Sequence, residues 1–351
     1  MTRRSNKSKG VLREVVASRG QRVRRRYLTA TILIVVAVVG CAFSVYRYRT
    51  SKSNAKVAEG YADPSSCATC HAKIAQEYSK TGMGRSFRSV TSYTADADFT
   101  RVNSLKHEAS GKTYRMIRDG ARLLMQRETV DPGDGSSTLY AQSIDYVVGS
   151  GNHAHTYLHR TADNKLIELP VSWYSELGGY WAMSPGYDRA SQMDFRRPIG
   201  KDCMFCHNGY PATDPVAANT TDGAVFQAQL PEGIDCQRCH GPGAAHVRAA
   251  KSWHAKPEEV AASILNPADL PRERQLDVCR QCHLETTSLA LPNAIRRYNR
   301  GAYSFRPGES LTDFQIYFDH KVGTGFEDRL EVAHQAYRLE KSKCFLKSQM
   351  T

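Results

Sequence analysis

Long apolar runs are almost missing from this 351-residue chain. Outside residues 27–46 the aliphatic stretches are short, so the remaining body of about 305 residues has few of the side-chain runs from which a large core is normally built. Charge of either sign is missing from Tyr27 to Tyr46. Acid is nearly missing ahead of that stretch, where Glu14 stands alone against Arg3, Arg4, Lys7, Lys9, Arg13, Arg19, Arg22, Arg24, Arg25 and Arg26. These ten bases and one acid carry +9 of the formal net charge of +13, and 13 − 9 leaves only +4 on everything else. A nucleic-acid-binding body needs a basic excess that the remainder does not have.

Residues 27–46 are long enough, at about 1.5 Å per residue, to span roughly 30 Å as a helix. With the basic arm kept inside, residues 1–26 are expected in the cytoplasm, 27–46 in the membrane, and the rest outside. Two other readings stand beside this one. A cleaved signal peptide has a shorter apolar core and a clean small-residue cleavage site, neither of which is seen. A lipoprotein box is suggested by Val38-Val39-Gly40-Cys41, although apolar residues continue through Tyr46. All three export the remainder of the chain.

What the chain does have is four copies of Cys-x-x-Cys-His: Cys67-Ala-Thr-Cys70-His71, Cys203-Met-Phe-Cys206-His207, Cys236-Gln-Arg-Cys239-His240 and Cys279-Arg-Gln-Cys282-His283. With 10 Cys and 12 His in the chain, chance supplies roughly 0.01 such pentapeptides. Two thiols at this spacing reach the two vinyl groups of one porphyrin, and the following imidazole reaches its iron. Zinc held by paired thiolates, or redox disulfides, would not explain the His in every copy. The expected cofactor is therefore four covalently bound haem c groups. Their propionates, about eight in all, would leave the exported face near neutral or acidic.

The organisation read from the chain is a basic arm (1–26), a transmembrane anchor (27–46), a tether (47–60), a first haem segment (61–86), a β-rich insert (87–194), a three-haem segment (195–297) and a C-terminal segment (298–351). Ser66 is placed to cap a helix running from the first motif through Tyr78 to Gly82. A hairpin is expected around Asp119-Gly120. Alternation at Ile167, Leu169, Val171 and Trp173 follows an Asp163-Asn164 turn, and His153, His155, Tyr157 and His159 share one strand face. A surface helix is expected from Glu327 to Lys341.

The second axial ligand of each iron decides between electron transfer and small-molecule chemistry. Candidates are His246, which follows a Gly-Pro-Gly turn; His153 or His155 on the strand face; Met83 between two glycines; and His334. His107, His159 and His320 read as structural. No Cys-x-x-Cys-Lys, a common mark of a catalytic haem, occurs.

Together these residues resemble the multihaem cytochromes of the cytochrome c-554 type, and especially membrane-anchored, longer relatives. The resemblance runs from about Ser65 to Gln349 and rests on the loop Thr81 to Phe87, Val148-Gly149-Ser150-Gly151-Asn152-His153, Cys236 through His246, and Asn266-Pro267-Ala268. It implies a mainly α and irregular multihaem cytochrome c scaffold, here with a small antiparallel β insert and one N-terminal transmembrane helix. It also implies His246 as a distal ligand. Some relatives carry His where Met83 stands, and relatives tend to continue past Ser342-Lys343-Cys344-Phe345 into a further motif, so the chain reads as a fragment or a variant ending before a fifth haem.

The function expected is that of a membrane-anchored, single-pass cytochrome passing electrons between redox partner proteins outside the cytoplasm, with no nucleic-acid partner. The alternative is a reductase acting on nitrite, hydroxylamine or a similar small substrate at a five-coordinate haem. An extracytoplasmic sensor fits less well, because a 26-residue cytoplasmic arm holds no output module.

Overall fold

Between residues 87 and 198 the chain alternates inward apolar with outward polar side chains, the period of a half-buried strand. The structure, a computed structural model, describes residues 60–91, 97–209, 223–227, 229–284, 294–318, 321–325 and 335–350. The chain divides into two units, Met1–Ala55 and Lys56–Thr351. The first lies outside the described residues, and so do the arm, the apolar run and most of the tether.

In the second unit the strands are β1 (Phe87–Ser89), β2 (Ser104–His107), β3 (Lys112–Asp119), β4 (Arg122–Val130), β5 (Ser137–Ile144), β6 (Tyr146–Val148), β7 (Ala154–Arg160), β8 (Leu166–Glu168), β9 (Val171–Tyr174), β10 (Tyr180–Met183) and β11 (Arg197–Pro198). Strands β2-β3-β4-β5 make one antiparallel sheet, and β1-β6-β7-β8-β11 with β9 and β10 make another. The β3–β4 hairpin turns through Gly120, whose φ of +60 suits glycine, and pairs Met116 with Met125 on the inward face. Tyr114, Met116, Leu123, Met125 and Ile144 from the four-stranded sheet share one apolar cluster with Val147, Tyr157, Val171, Trp173 and Trp181 from the other. The two sheets thus close a sandwich-like core of ordinary side chains.

A second cluster joins Phe87, Tyr146, Leu158 and Leu166 to Ile199 and Met204, and so carries the second attachment motif on the same β framework. Charge is buried here as well. Asp194 accepts from Lys112 Nζ at 3.1 Å and pairs with Arg127.

The helices are short: α1 (Ser65–Cys70), α2 (Ala72–Tyr78), α3 (Lys201–His207), α4 (Gln237–His240), α5 (Ala244–Ala250), α6 (Pro257–Ala262), α7 (Arg272–Arg280), α8 (Gln335–Lys341) and α9 (Lys343–Leu346). None of these exceeds nine residues. A further strand pair, β12 (Ala294–Arg296) with β13 (Gln315–Tyr317), follows the fourth motif.

This corrects the expected fold class. The chain is a mixed structure with substantial antiparallel sheets, not a mainly helical cytochrome scaffold, because residues 87–198 build a complete two-sheet core rather than a small insert. The transmembrane helix also meets a correction: among the described residues no helix is long and apolar enough to cross a membrane. Residues 27–46, where that helix was expected, lie outside them.

Local expectations are corrected too. The helix of the first motif breaks at His71, at φ −108 and ψ 42. Its first turn is held by Asp63, whose Oδ1 accepts from Ser65 N at 2.9 Å, and not by Ser66, which lies within the helix. The alternation after Asp163-Asn164 is split between β8 and β9, with Leu166 and Glu168 inward and Ile167 only partly covered. Of the helix expected from Glu327, Gln335–Lys341 is described as helical.

Candidate haem-attachment sites

The first motif sits on two helices that bury none of their residues. Ile74 on α2 is 68% exposed, although it belongs to the apolar face of that helix. His71, at the break between α1 and α2, stands opposite His246 of α5: the ring centroids are 6.3 Å apart and the planes lie within 17°. At that distance the nearly parallel rings are not in close face-to-face overlap. A metal between two imidazole nitrogens needs two bonds of about 2.0–2.1 Å plus about 1.1 Å from each nitrogen to its ring centre, together about 6.3 Å.

The fold explains how residues so far apart in sequence meet. Gln237, inside the third motif, accepts at Oε1 from Ala62 N at 2.8 Å and from Gly243 N at 3.0 Å, and donates from Nε2 to Ala62 O at 2.9 Å. Ala244 N adds a bond to Gly60 O at 3.0 Å. The segment ahead of the first motif is thereby stapled to the turn that launches α5.

The histidine rings divide by what their Nδ1 atoms do. His246 Nδ1 meets Val260 O at 3.0 Å and Ser263 Oγ at 3.3 Å, and His240 Nδ1 meets Leu265 O at 2.9 Å. A carbonyl only accepts, so these Nδ1 atoms carry the proton and Nε2 keeps the lone pair that binds a metal. His283 follows the same pattern with Gln335 Oε1 at 2.8 Å. His107 is different, engaging Ser110 Oγ at 2.7 Å and Asp188 Oδ1 at 3.1 Å through its two nitrogens. His159 Nδ1 faces the Asp145 carboxylate at 3.0 Å, in a cluster with Ser143 and Arg160 N. Both are structural.

The thiols of different motifs adjoin. Cys67 hydrogen-bonds to Cys236, which pushes the Cys67 thiol up and that of Cys236 down. Cys239 is pushed up to about 11, by burial first and then by Cys279 and Cys282. His207 is exposed, and desolvation by the protein around it, then His283, holds its pKa below the ordinary value. Site one therefore borders site three, site three borders site four, and site four borders site two. Tyr78 points its hydroxyl toward Cys239 and Cys236; the group is buried with no hydrogen-bond partner among the described residues, and burial, then those thiols, raises its pKa. An orphaned hydroxyl between attachment cysteines fits a polar edge that the polypeptide itself does not supply.

The remaining distal candidates are placed less decisively. Met83 is 46% exposed, in a loop whose Gly84 N and Arg85 N donate back to Thr81, and its carbonyl accepts from Ser86 N at 3.2 Å and Ile234 N at 3.0 Å. Ser86 Oγ donates to His207 O at 3.0 Å, and Gly149 N donates to Ser86 O at 2.7 Å, so the two loops that carried the resemblance pack together beside the second motif. Gly149 is required there: its φ is +101, and a Cβ would lie 2.5 Å from Ala154 O. His153 is exposed and precedes β7. His155 is fully buried, with Nδ1 at 3.2 Å from Gly149 O. His334 and His320 lie outside the described residues.

Among the described residues, no group of three or more His, Cys, Asp or Glu side chains is gathered as a bare metal ion would need. The metal binding expected of the chain therefore finds no bare-ion site among those residues, and neither do the zinc thiolates already set aside on the sequence. A porphyrin iron takes four donors from the macrocycle and asks the protein for at most two. Sequence reading missed Gln237, Arg238, Phe205, Gln281 and Tyr78. All but Tyr78 occupy the x positions of the motifs, where spacing carries no signal. No family model, curated protein or solved structure matches the chain.

Proposed function

We propose that the chain is an exported multihaem c-type cytochrome, of the kind the cytochrome c-554 resemblance suggests, that carries electrons between redox partner proteins outside the cytoplasm. The observation that supports this reading is the His71–His246 pair, whose ring centroids stand 6.3 Å apart, close to what two imidazoles sharing one iron would need, beside the hydrogen bonds that tie Gln237 to Ala62. A thioether-bound iron porphyrin would supply reversible one-electron chemistry at each motif.

The residues of the chain do the rest. Cys67 and Cys70, Cys203 and Cys206, Cys236 and Cys239, and Cys279 and Cys282 would anchor the four groups, and His71, His207, His240 and His283 would bind them from the proximal side. Hydrogen bonds from Nδ1 of His240 and His246 to backbone carbonyls fix each ring's tautomer and orientation. Contact between neighbouring motifs gives a continuous series of sites, which favours transfer along the protein. Export of the chain would place these groups on the outer side of the cytoplasmic membrane.

The test is low-temperature electron paramagnetic resonance of the oxidised, full-length protein matured in an exporting host. Wholly low-spin ferric haem supports a carrier. A high-spin component that shifts with nitrite or hydroxylamine would replace it by the reductase reading.

A further inference from the structure

The third residues of three motifs meet at one point. Phe205 of site two, Arg238 of site three and Gln281 of site four are all buried. Arg238, 1% exposed, donates from Nη2 to Phe205 O at 2.8 Å and lies 3.9 Å from Cys282 Sγ. Its guanidinium carbon is 4.1 Å from the centre of the Phe205 ring and 5.5 Å from that of Tyr303. Gln281 Nε2 donates to Arg238 O at 3.1 Å and to Val278 O at 2.8 Å. Phe314 and Phe305 extend the aromatic wall around Phe205.

An arginine stays charged at any ordinary pH, and burying that charge is costly. Packing alone does not require it, since a methionine would fill the same space against the same rings. The neighbouring acid is Asp235, one turn back in the chain, whose Oδ1 accepts Gln237 N at 2.9 Å. The junction of the three motifs therefore holds a fixed cation that is almost wholly buried against the backbone of site two and a thiol of site four.

Resting on the reading that these motifs carry haem, we propose that Arg238 sets the reduction potentials of the haems held at sites three and four. A fixed cation in a low-dielectric site favours the added electron, so it raises the potential of the groups beside it. Electrons entering elsewhere would then collect at this junction. Nothing in the Cys-x-x-Cys-His spacing assigns the position such a role.

The experiment is spectroelectrochemical titration of the full-length, haem-loaded protein and its Arg238→Met, Arg238→Gln and Arg238→Lys variants, with haem content checked by pyridine haemochrome. Arg238→Met is expected to reduce the ferrous-to-ferric ratio of at least one haem about tenfold at fixed potential, a fall of about 59 mV for one electron. Arg238→Gln, which keeps a donor for Phe205 O, should fall likewise, and Arg238→Lys should stay within about threefold of wild type.

All four potentials unchanged within a factor of two in a loaded neutral variant would overturn the proposal, and so would Arg238→Lys falling as far as Arg238→Met. Failure of both neutral variants to load while Arg238→Lys loads with wild-type potentials would overturn it as well, since the cation would then serve assembly. A wild type that takes up no haem would overturn the functional reading instead.

Discussion

Replacing His246 by Ala removes one imidazole from a pair whose rings are 6.3 Å apart and nearly parallel. In a chain with four attachment motifs, one iron in four then loses its sixth ligand, and about one quarter of the ferric haem should convert from low to high spin. The variant also loses the bond from Nδ1 to Val260 O, worth about 1 kcal/mol, which is too little to unfold a domain of this size. Electron paramagnetic resonance and the visible charge-transfer band read the conversion directly, and added imidazole should reverse it. His107→Ala is the control: both of its nitrogens are engaged by Ser110 and Asp188, so it should lower stability and leave the spin state alone. A fully low-spin His246→Ala protein with four haems would refute the ligand assignment.

Gln237→Ala removes three hydrogen bonds that tie Ala62 to Gly243; it should cost on the order of 2–3 kcal/mol in chemical denaturation and produce the same partial high-spin signal as His246→Ala. Asp194→Ala leaves Lys112 and Arg127 facing each other without their carboxylate and should destabilise by about 3–5 kcal/mol, measured by urea unfolding of the haem-loaded protein. Glu168 is buried beside Arg197 at 3.0 Å, and burial pushes its carboxyl from 4.5 up to about 7 despite that guanidinium. The folded state therefore holds the proton more tightly than the unfolded state, so stability falls as pH rises from about 4.5 to about 7, by on the order of 3 kcal/mol at most. Glu168→Gln should flatten that fall in urea midpoints taken between pH 4.5 and 7.5, and an unchanged slope would show that another group is responsible.

The four Cys-x-x-Cys-His motifs stand out in the sequence because the chemistry proposed for them is local: five consecutive residues would satisfy one ligand, whatever the tertiary fold. The Asp119-Gly120 hairpin was legible for the same reason, with a turn residue between two alternating runs. The extent of the β structure was not. Tyr114, Tyr157 and Trp181 lie far apart in sequence but share a core, and nothing in a single strand tells which second sheet will cover it. A resemblance carried by loops and motifs implied a helical scaffold, since it had no access to that pairing.

The pairing of His246 with His71 shows the same limit. His246 stood out from its Gly-Pro-Gly turn, but its partner His71 depends on Gln237 and Ala62 meeting across 175 positions. His155 and His159 looked alike on one strand face; what separates them is a backbone carbonyl at Gly149 for one and the Asp145 carboxylate for the other. Arg238 had no signal at all, because an x position in Cys-x-x-Cys-His is free to be anything until the motifs pack.

The most direct test of covalent haem at the four motifs is the intact mass of the full-length protein matured in a host that exports and attaches haem, read together with its pyridine haemochrome. The account predicts the polypeptide mass plus four porphyrins that survive denaturation and acid extraction. A colourless product at the bare polypeptide mass, from a host that loads a control c-type cytochrome, would contradict it.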